Sequence, residues 1–217
     1  MISRSCIGKR FRNKDAQVKR NVMVYGHVVA MLAACSGSSG NNGTENAFAF
    51  TTIAEGGASF AELVDNALPQ DELTPTTDRS DLPSGGDFTY DGIIFVGLDN
   101  GSDDSVLGTI RVTATFADNG LTGSAGSFVN ANDEAVGGQL QIDGNFASSG
   151  PAGGLADVDG TVEFEAGTMV IDAVATHGFT GASGEYHIGA VLDGDGTAQP
   201  AIGAPIEIDL SWAAERQ

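Results

Sequence analysis

The sequence predicts an all-β fold, an eight-stranded antiparallel up-and-down β-barrel preceded by a short amphipathic helix. From Asp87 onward, apolar and polar residues alternate with the period of two that is typical of strands with one buried face. Short hairpin signals such as Asp118-Asn119-Gly120 separate these segments. An even number of strands joined by hairpins favours a closed barrel, because closure removes unpaired strand edges. A two-sheet β-sandwich is the alternative.

The N-terminal part reads as an export signal. An uncharged apolar run over residues 22–34 follows the pair Lys19-Arg20 and ends at Leu32-Ala33-Ala34-Cys35. This ending resembles the lipobox of bacterial lipoproteins; the alternative is an ordinary cleavage site that happens to end in cysteine. The resemblance implies a removed signal peptide (1–34), lipid on Cys35 that anchors the chain to a membrane, and a flexible tether (35–44) rich in Gly, Ser and Asn. Translation could begin at Met1 or at Met23.

The charge of the chain is divided sharply at Cys35. Seven of the ten basic residues precede Cys35, whereas three arginines and 28 acidic residues follow it, which gives the mature chain a net charge of −25. Such a chain repels phosphate backbones, so nucleic-acid binding is disfavoured. Acidic residues keep a secreted protein soluble, and a basic partner is the alternative explanation for them. After Cys35 there is no further cysteine, which excludes a disulfide within the domain and a thiolate metal site.

Residues 45–86 are predicted to form a helix and a connecting loop. Ser59-Phe60-Ala61-Glu62 matches the capping-box pattern and predicts a helix start at Ser59, while Pro69 ends the helix. The apolar stripe of this helix consists of Phe60, Leu63, Val64, Ala67 and Leu68. A helix of about ten residues is not stable alone in water. We therefore expect the stripe to pack on the main domain.

The main domain is predicted to span residues 87–217. Its eight predicted strands cover residues 88–98, 109–116, 121–129, 140–146, 161–165, 169–179, 186–192 and 206–212. Glycines lie within several of them, for example Gly92 and Gly189. No Gly-rich phosphate-binding motif precedes a helix, so these glycines indicate bends and bulges of a small barrel.

Four short motifs carry a family resemblance. They are Ser84-Gly85-Gly86 before Thr89-Tyr90-Asp91-Gly92, Leu121-Thr122-Gly123-Ser124-Ala125-Gly126, Ala135-Val136-Gly137-Gly138, and Phe179-Thr180-Gly181-Ala182-Ser183-Gly184-Glu185-Tyr186-His187-Ile188-Gly189-Ala190. In this order they resemble the small barrel of transferrin-binding-protein-B-like bacterial surface lipoproteins of the Slam-dependent type, with Gly184 standing where alanine is usual and Ala190 where glycine is usual. The resemblance implies display at the outer membrane or cell surface and binding of a partner, which in this family is an iron carrier, haemoglobin or haem.

Two histidines are candidate haem ligands, since relatives of this barrel bind haem. If Met169, Ile171 and Ala173 point into the barrel, His177 does so as well. If Tyr186 and Ile188 point inward, however, His187 points outward, and the pair lies on opposite faces. The alternative is that each histidine is an ordinary core or rim residue.

Two acidic turns are candidate calcium sites, because hard cations prefer oxygen ligands. The first contains Asp99, Asp103 and Asp104, and the second contains Asp193 and Asp195. Neither matches an EF-hand loop, and a solvated acidic turn is the alternative.

No nucleophile and base, and no isolated pair of carboxylates, are grouped in the sequence, so we expect a protein that is not an enzyme. The sequence predicts a lipid-anchored binding protein with an unidentified ligand or partner protein and a link to iron or haem acquisition. The alternative is a structural or adhesive surface lipoprotein without a small-molecule ligand.

Overall fold

The structure is a computed structural model that describes residues 48–68, 77–101 and 104–217, without the side chains of residues 192 and 193. The predicted signal peptide (1–34) and tether (35–44), including Cys35, lie outside the described residues. The helix, residues 77–86 before the first strand, and the nine strands lie within them.

Nine strands form one closed antiparallel sheet. They are β1 (Asp87–Leu98), β2 (Ser105–Thr115), β3 (Gly120–Asn130), β4 (Ala135–Val136), β5 (Gly138–Phe146), β6 (Gly153–Phe164), β7 (Gly167–Thr180), β8 (Tyr186–Pro200) and β9 (Ile206–Arg216). The two-residue β4 pairs only with β3, whereas the other eight strands each pair with their neighbours in chain order. Pairing of β9 with β1 closes the ring. The predicted eight-stranded up-and-down barrel is therefore confirmed.

The barrel interior is filled by side chains. Apolar residues from all eight barrel strands form one cluster in which no member is more than 6% exposed. Strand β7 shows the underlying pattern, with Met169, Ile171, Ala173 and Ala175 buried and the residues between them exposed. Each fully buried large apolar side chain contributes about 1.5–3 kcal/mol relative to its exposed state. The interior is therefore a hydrophobic core that stabilises the fold.

Helix α1 spans Ile53–Ala67 and begins earlier than the sequence analysis predicts. Its N-cap is Thr52, whose side-chain oxygen accepts a hydrogen bond from the Glu55 amide at 3.2 Å. The Asp133 carboxylate accepts a second hydrogen bond from the Ile53 amide at 2.8 Å. The predicted start at Ser59 is wrong because Thr52 and Glu55 form the same Thr-x-x-Glu pattern upstream, and a barrel turn satisfies one further free amide of the first turn.

The helix packs on the outside of the barrel, as its apolar stripe predicts. Leu63 and Ala67 are buried, and Leu63 packs in a cluster with Ile93, Leu107 and Ala213 of strands β1, β2 and β9. These strands consequently carry apolar residues on both faces, one set in the barrel core and one set under the helix. Within the described ranges, no helix combines the length and the apolar character needed to cross a membrane.

Residues 77–86 close one end of the barrel, which we call the plugged end. This end contains the turns between β2 and β3, β5 and β6, and β7 and β8. Thr77 donates its hydroxyl hydrogen bond to the Gly181 carbonyl at 2.7 Å, and Asp78 forms an isolated bridge with Pro151. Leu82 is buried in the barrel cluster. Residues 77–86, which belong to the segment expected to be a connecting loop, are thus an integral part of the barrel.

Arg79 ties the turns of the plugged end together. Its guanidinium donates hydrogen bonds to the Asn119 side chain at 2.9 Å, the Pro83 carbonyl at 3.0 Å and the Phe116 carbonyl at 2.8 Å. The same group lies 5.5 Å from the ring centre of Phe116 and 5.9 Å from that of Phe146. The positive charge of Arg79 therefore interacts with carbonyl oxygens, the Asn119 side chain and aromatic rings of the barrel itself.

Candidate functional site

The barrel core contains a polar cluster formed by His177 on β7, His187 on β8 and Trp212 on β9. All three side chains are buried. In the strand register, Gly189 on β8 is paired with both His177 and Trp212. The two larger side chains reach across this glycine toward His187, which lies two residues before it on the same inward face. Strand register thus brings together residues that are distant in the sequence.

The three side chains form a continuous chain of hydrogen bonds. Trp212 Nε1 donates to His187 Nδ1 at 3.1 Å, and His187 Nε2 lies 3.1 Å from His177 Nδ1. His177 Nε2 in turn lies 3.1 Å from the carbonyl oxygen of Asn145. We refer to Trp212, His187, His177 and the Asn145 carbonyl as the Trp-His-His chain.

The direction of this chain fixes the tautomers of both histidines. An indole N–H can only donate, so His187 Nδ1 must accept and its proton must lie on Nε2. That proton is donated to His177 Nδ1, which places the proton of His177 on Nε2, where it is donated to Asn145. Both histidines are therefore neutral Nε2–H tautomers with both ring nitrogens in hydrogen bonds.

Burial keeps both rings neutral. Desolvation lowers the pKa of His177 to about 4, although hydrogen bonding to the backbone of Asn145 and Leu155 opposes the shift. Burial, with a smaller effect of the neighbouring His177, holds the pKa of His187 well below its ordinary value. Neither histidine is charged near neutral pH, so the buried chain carries no uncompensated charge.

Aromatic rings surround the Trp-His-His chain. Phe179 and Tyr90 lie with their ring centres 5.0 and 5.9 Å from that of His187. The Tyr90 hydroxyl donates to the Gly184 carbonyl at 2.9 Å, and burial raises the pKa of Tyr90 to about 12. These contacts continue through Phe179 to Phe116 and Phe146 at the plugged end.

The structure corrects the expected orientation of His187. His177 and His187 do not lie on opposite faces; both point into the barrel and bond to each other. The expectation was wrong because Ile188 is apolar yet faces outward, where it packs against the cluster under the helix. The sequence motif of β8 cannot show which of its two faces a helix covers.

This arrangement does not fit haem. All four ring nitrogens of His177 and His187 are engaged in hydrogen bonds, and the surrounding interior is packed with side chains. Ligation of iron by either ring would require one of these bonds to break and a buried side chain to move. The geometry instead corresponds to a fully satisfied polar network that links the four strands β5, β7, β8 and β9.

Only some residues of the two acidic turns belong to the described part of the chain. Asp103 and the side chain of Asp193 lie outside the described residues. The Asp104 carboxylate accepts hydrogen bonds from the Glu165 and Ala166 amides at 3.3 Å, which supports the turn between β6 and β7. Among the side chains that are described, no three His, Cys, Asp or Glu residues form a group that could hold a metal ion. The calcium hypothesis for Asp99, Asp103, Asp104, Asp193 and Asp195 stays a prediction.

The outer wall carries an ion pair and a shallow groove. Arg111 on β2 binds the buried Asp91 of β1 through two hydrogen bonds of 2.6 Å. The groove, of about 310 Å³, crosses β2, β3 and β5 and is lined by Thr109, Arg111, Ser124, Ala125, Gly126, Ser127, Gly138 and Gln139. The Asp91–Arg111 contact was not expected from the sequence. It could have been recognised from the opposite charges of two residues on consecutive strands, which a hairpin places side by side.

Replacing Gly189 with alanine should destabilise the barrel. A Cβ atom at this position would overlap the indole ring of Trp212, so the ring would have to move and its hydrogen bond to His187 would weaken. We expect a loss of about 1–3 kcal/mol in the free energy of unfolding, measured by chemical denaturation. The control is Gly126→Ala, where a Cβ would meet only the Gly138 carbonyl at 3.7 Å. Equal stability of the two variants would contradict the described packing.

Comparison with known proteins finds similarity to solved structures. No protein-family model matches the chain, and no curated protein matches it. A crystal structure of a Transferrin Binding Protein B vaccine antigen from Haemophilus parasuis, a double mutant, is similar over 65% of this chain with 15% identity and a TM-score of 0.42. The matched part covers 27% of that protein, so the present chain corresponds to about a quarter of its length. The strand pairing described above defines the barrel independently of this likeness.

Proposed function

We propose that this protein is a lipid-anchored, non-enzymatic surface protein whose barrel binds a protein partner through its outer surface. The observation that carries the proposal is the filled interior of the barrel. Apolar side chains and the Trp-His-His chain occupy it and form a packed core. A small-molecule carrier needs an internal cavity with a few free polar groups. Recognition by this barrel therefore falls to its outer wall and its turns.

The lipobox-like Leu32-Ala33-Ala34-Cys35 supports the location. Lipid on Cys35 would hold the barrel at the outer membrane, and the polar tether would give it reach. Export to the cell surface by a Slam-type translocon belongs to the same proposal and follows from the motif resemblance. A link to iron or haem acquisition has no support from the geometry of the two histidines.

Lipid attachment and display are tested in the bacterial cells that produce the protein. We expect the wild-type chain to incorporate labelled palmitate and to be degraded when protease is added to intact cells. Cys35→Ser should abolish the label and release the protein from the membrane fraction. A wild-type chain without label, or one that resists protease until the cells are broken, would contradict anchoring or display respectively.

Partner binding is tested by cross-linking on intact cells, with unlabelled purified protein as competitor. We expect a cross-linked protein that disappears with the competitor. The alternative function, a structural or adhesive surface lipoprotein, is favoured by the same filled interior, and it predicts attachment of cells to a surface without a discrete cross-linked partner. Saturable binding of haem or another small molecule that raises the melting temperature would contradict both.

A further inference from the structure

The outer faces of strands β5, β6 and β7 form an uncovered surface on the far side of the barrel from the helix. In the cyclic strand order, β6 lies opposite β1, which is one of the strands that the helix covers. We define the β5–β7 face by its outward residues Asp143, Leu155, Asp157, Asp159, Val170, Asp172 and Val174. All seven side chains are exposed.

Carboxylates stand directly opposite one another on this face. Asp143 on β5 is paired in register with Asp157 on β6, and Asp159 on β6 is paired with Asp172 on β7. Directly opposed residues of this kind have Cβ atoms about 4.5–5.5 Å apart, and like charges at that distance destabilise a sheet. The opposed aspartates therefore destabilise the sheet locally, and the stability of the fold does not explain their presence.

No basic side chain in the described part of the chain forms an ion pair with these carboxylates. From Gly138 to Pro200, which covers strands β5 to β8, the sequence contains neither Lys nor Arg. In the described ranges the basic residues are Arg79, Arg111 and Arg216, and each is used elsewhere in the fold. Arg79 binds turns of the plugged end, Arg111 binds Asp91, and Arg216 binds the Ser183 carbonyl at 3.1 Å.

Large apolar side chains are interleaved with the carboxylates. Leu155, Val170 and Val174 are 59%, 52% and 37% exposed, and they are three of the four exposed large apolar residues in the described part of the chain. Val174 is paired directly with Asp157. On the opposite side of the barrel, the outward apolar residues are covered by helix α1. The β5–β7 face has both the apolar area and the charge of a surface that a partner covers.

Charge complementarity identifies the occupant. A second copy of this acidic chain and an anionic lipid or nucleic-acid surface would each meet repulsion at this face. A small cation would use the carboxylates but leave the apolar side chains uncovered. Because β5, β6 and β7 are each paired on both sides, a partner at this face must bind through side chains rather than by adding a strand.

We propose that the β5–β7 face binds an extended, lysine- or arginine-bearing segment of a partner protein, with basic side chains over the opposed aspartates and apolar side chains over Leu155 and Val174. The spacing is suitable, because Asp157 and Asp159 are two residues apart on one strand, about 6.7 Å, which matches alternate residues of an extended peptide. This inference rests on the proposed function and names its surface and the chemistry of its partner.

The probe, called the lysine–valine peptide, is a fluorescent heptapeptide with valine, lysine and lysine at positions 2, 4 and 6 and serine elsewhere, so that its three non-serine side chains share one face. The readout is fluorescence anisotropy with the protein purified as the bacterial cell produces it. The test variant is Asp143→Asn, Asp157→Asn, Asp159→Asn and Asp172→Asn combined. The matched control combines Glu62→Gln, Asp65→Asn, Asp87→Asn and Asp118→Asn, which changes the net charge equally at exposed sites away from the face. We expect the test variant to bind at least about tenfold more weakly than wild type and the control to change by less than about threefold.

A second peptide, in which serine replaces the valine, separates apolar contact from charge. It should bind several-fold more weakly than the lysine–valine peptide, and Leu155→Ser with Val174→Thr should remove that difference. Equal weakening by the two charge variants would overturn the proposal, since binding would then reflect diffuse charge. So would failure of wild type to bind the lysine–valine peptide at low salt, where such interactions are strongest.

Stability provides a readout that does not depend on a ligand. The test variant should unfold at a higher temperature than the control variant, because it removes two opposed carboxylate pairs, and like charges directly opposite one another destabilise a sheet. A cross-linked cellular partner that the test variant retains fully would leave the proposed function standing and refute this face as its site. Peptide binding at the face without any saturable cellular partner would instead refute the proposed function.

Discussion

Replacing Trp212 with alanine is expected to lower the free energy of unfolding by about 3–5 kcal/mol. Trp212 is the single tryptophan of the chain, is almost completely buried and belongs to the main barrel cluster. Its removal leaves a cavity over Gly189 and also leaves His187 Nδ1 without a donor. A loss of this size is a large fraction of the stability of a typical domain.

The variant Trp212→Phe separates packing from hydrogen bonding. Phenylalanine keeps most of the apolar ring but supplies no N–H group, so His187 Nδ1 becomes an unsatisfied buried acceptor, at a cost of about 1–3 kcal/mol. Urea denaturation followed by circular dichroism measures both variants. A Trp212→Phe protein as stable as wild type would show that the bond between Trp212 and His187 contributes nothing to folding.

Acid should weaken the fold before most carboxylates are protonated. The ordinary pKa of 6.5 applies to His177 in the unfolded chain, whereas burial lowers its pKa to about 4 in the barrel. As the pH falls below 6.5, the unfolded chain takes up a proton that the folded chain does not, so the free energy of unfolding decreases. For His177 alone the decrease is about 2 kcal/mol at pH 5, and it is complete near the folded pKa.

His187 adds to the loss in the same direction, because its pKa is also lowered by burial. Its ring contacts are with His177, Tyr90, Phe179 and Trp212, and apart from His177 none of these gains or loses charge in this range. Protonation of His177 at Nδ1 would also convert the acceptor of His187 into a donor and break the chain. The folded barrel therefore keeps both histidines unprotonated together, and both lower its stability in acid.

The measurement is urea denaturation between about pH 7.5 and pH 5, followed by Trp212 fluorescence. The control is His177→Gln combined with His187→Gln, which keeps donors and acceptors but removes both titrating groups. We expect its stability to change much less over this range. NMR titration of the wild-type rings provides a second measurement, and a His177 resonance that titrates near pH 6.5 would contradict the description.

Much of the fold was predictable from the sequence because strands and helices impose local periods. Alternation predicted the inward face of β7, and the stripe around Leu63 predicted a helix that packs on the barrel. Hairpin signals predicted that consecutive strands pair. Each of these properties depends on residues close together in the chain, so a single sequence displays them.

The helix start and the role of residues 77–86 depended on contacts that are distant in the chain. Asp133 satisfies the Ile53 amide from a turn of the barrel, and Arg79 reaches Phe116 and Asn119. Such contacts have no periodic signature. They were therefore missed, although Thr52 and Glu55 carried a capping pattern as clear as that of Ser59 and Glu62.

The sequence by itself determined an acidic all-β domain with one amphipathic helix and a lipobox-like motif, and it left a barrel and a sandwich both open, since composition and period are local properties. The tertiary structure alone decided that His187 faces inward. The helix covers the outer side of strand β8, so Ile188 can be apolar and still face outward, and the alternation of apolar residues does not identify the inward face. It also decided that Asp143 meets Asp157 and Asp159 meets Asp172. Register between strands sets these pairs, and register follows from how the whole barrel closes.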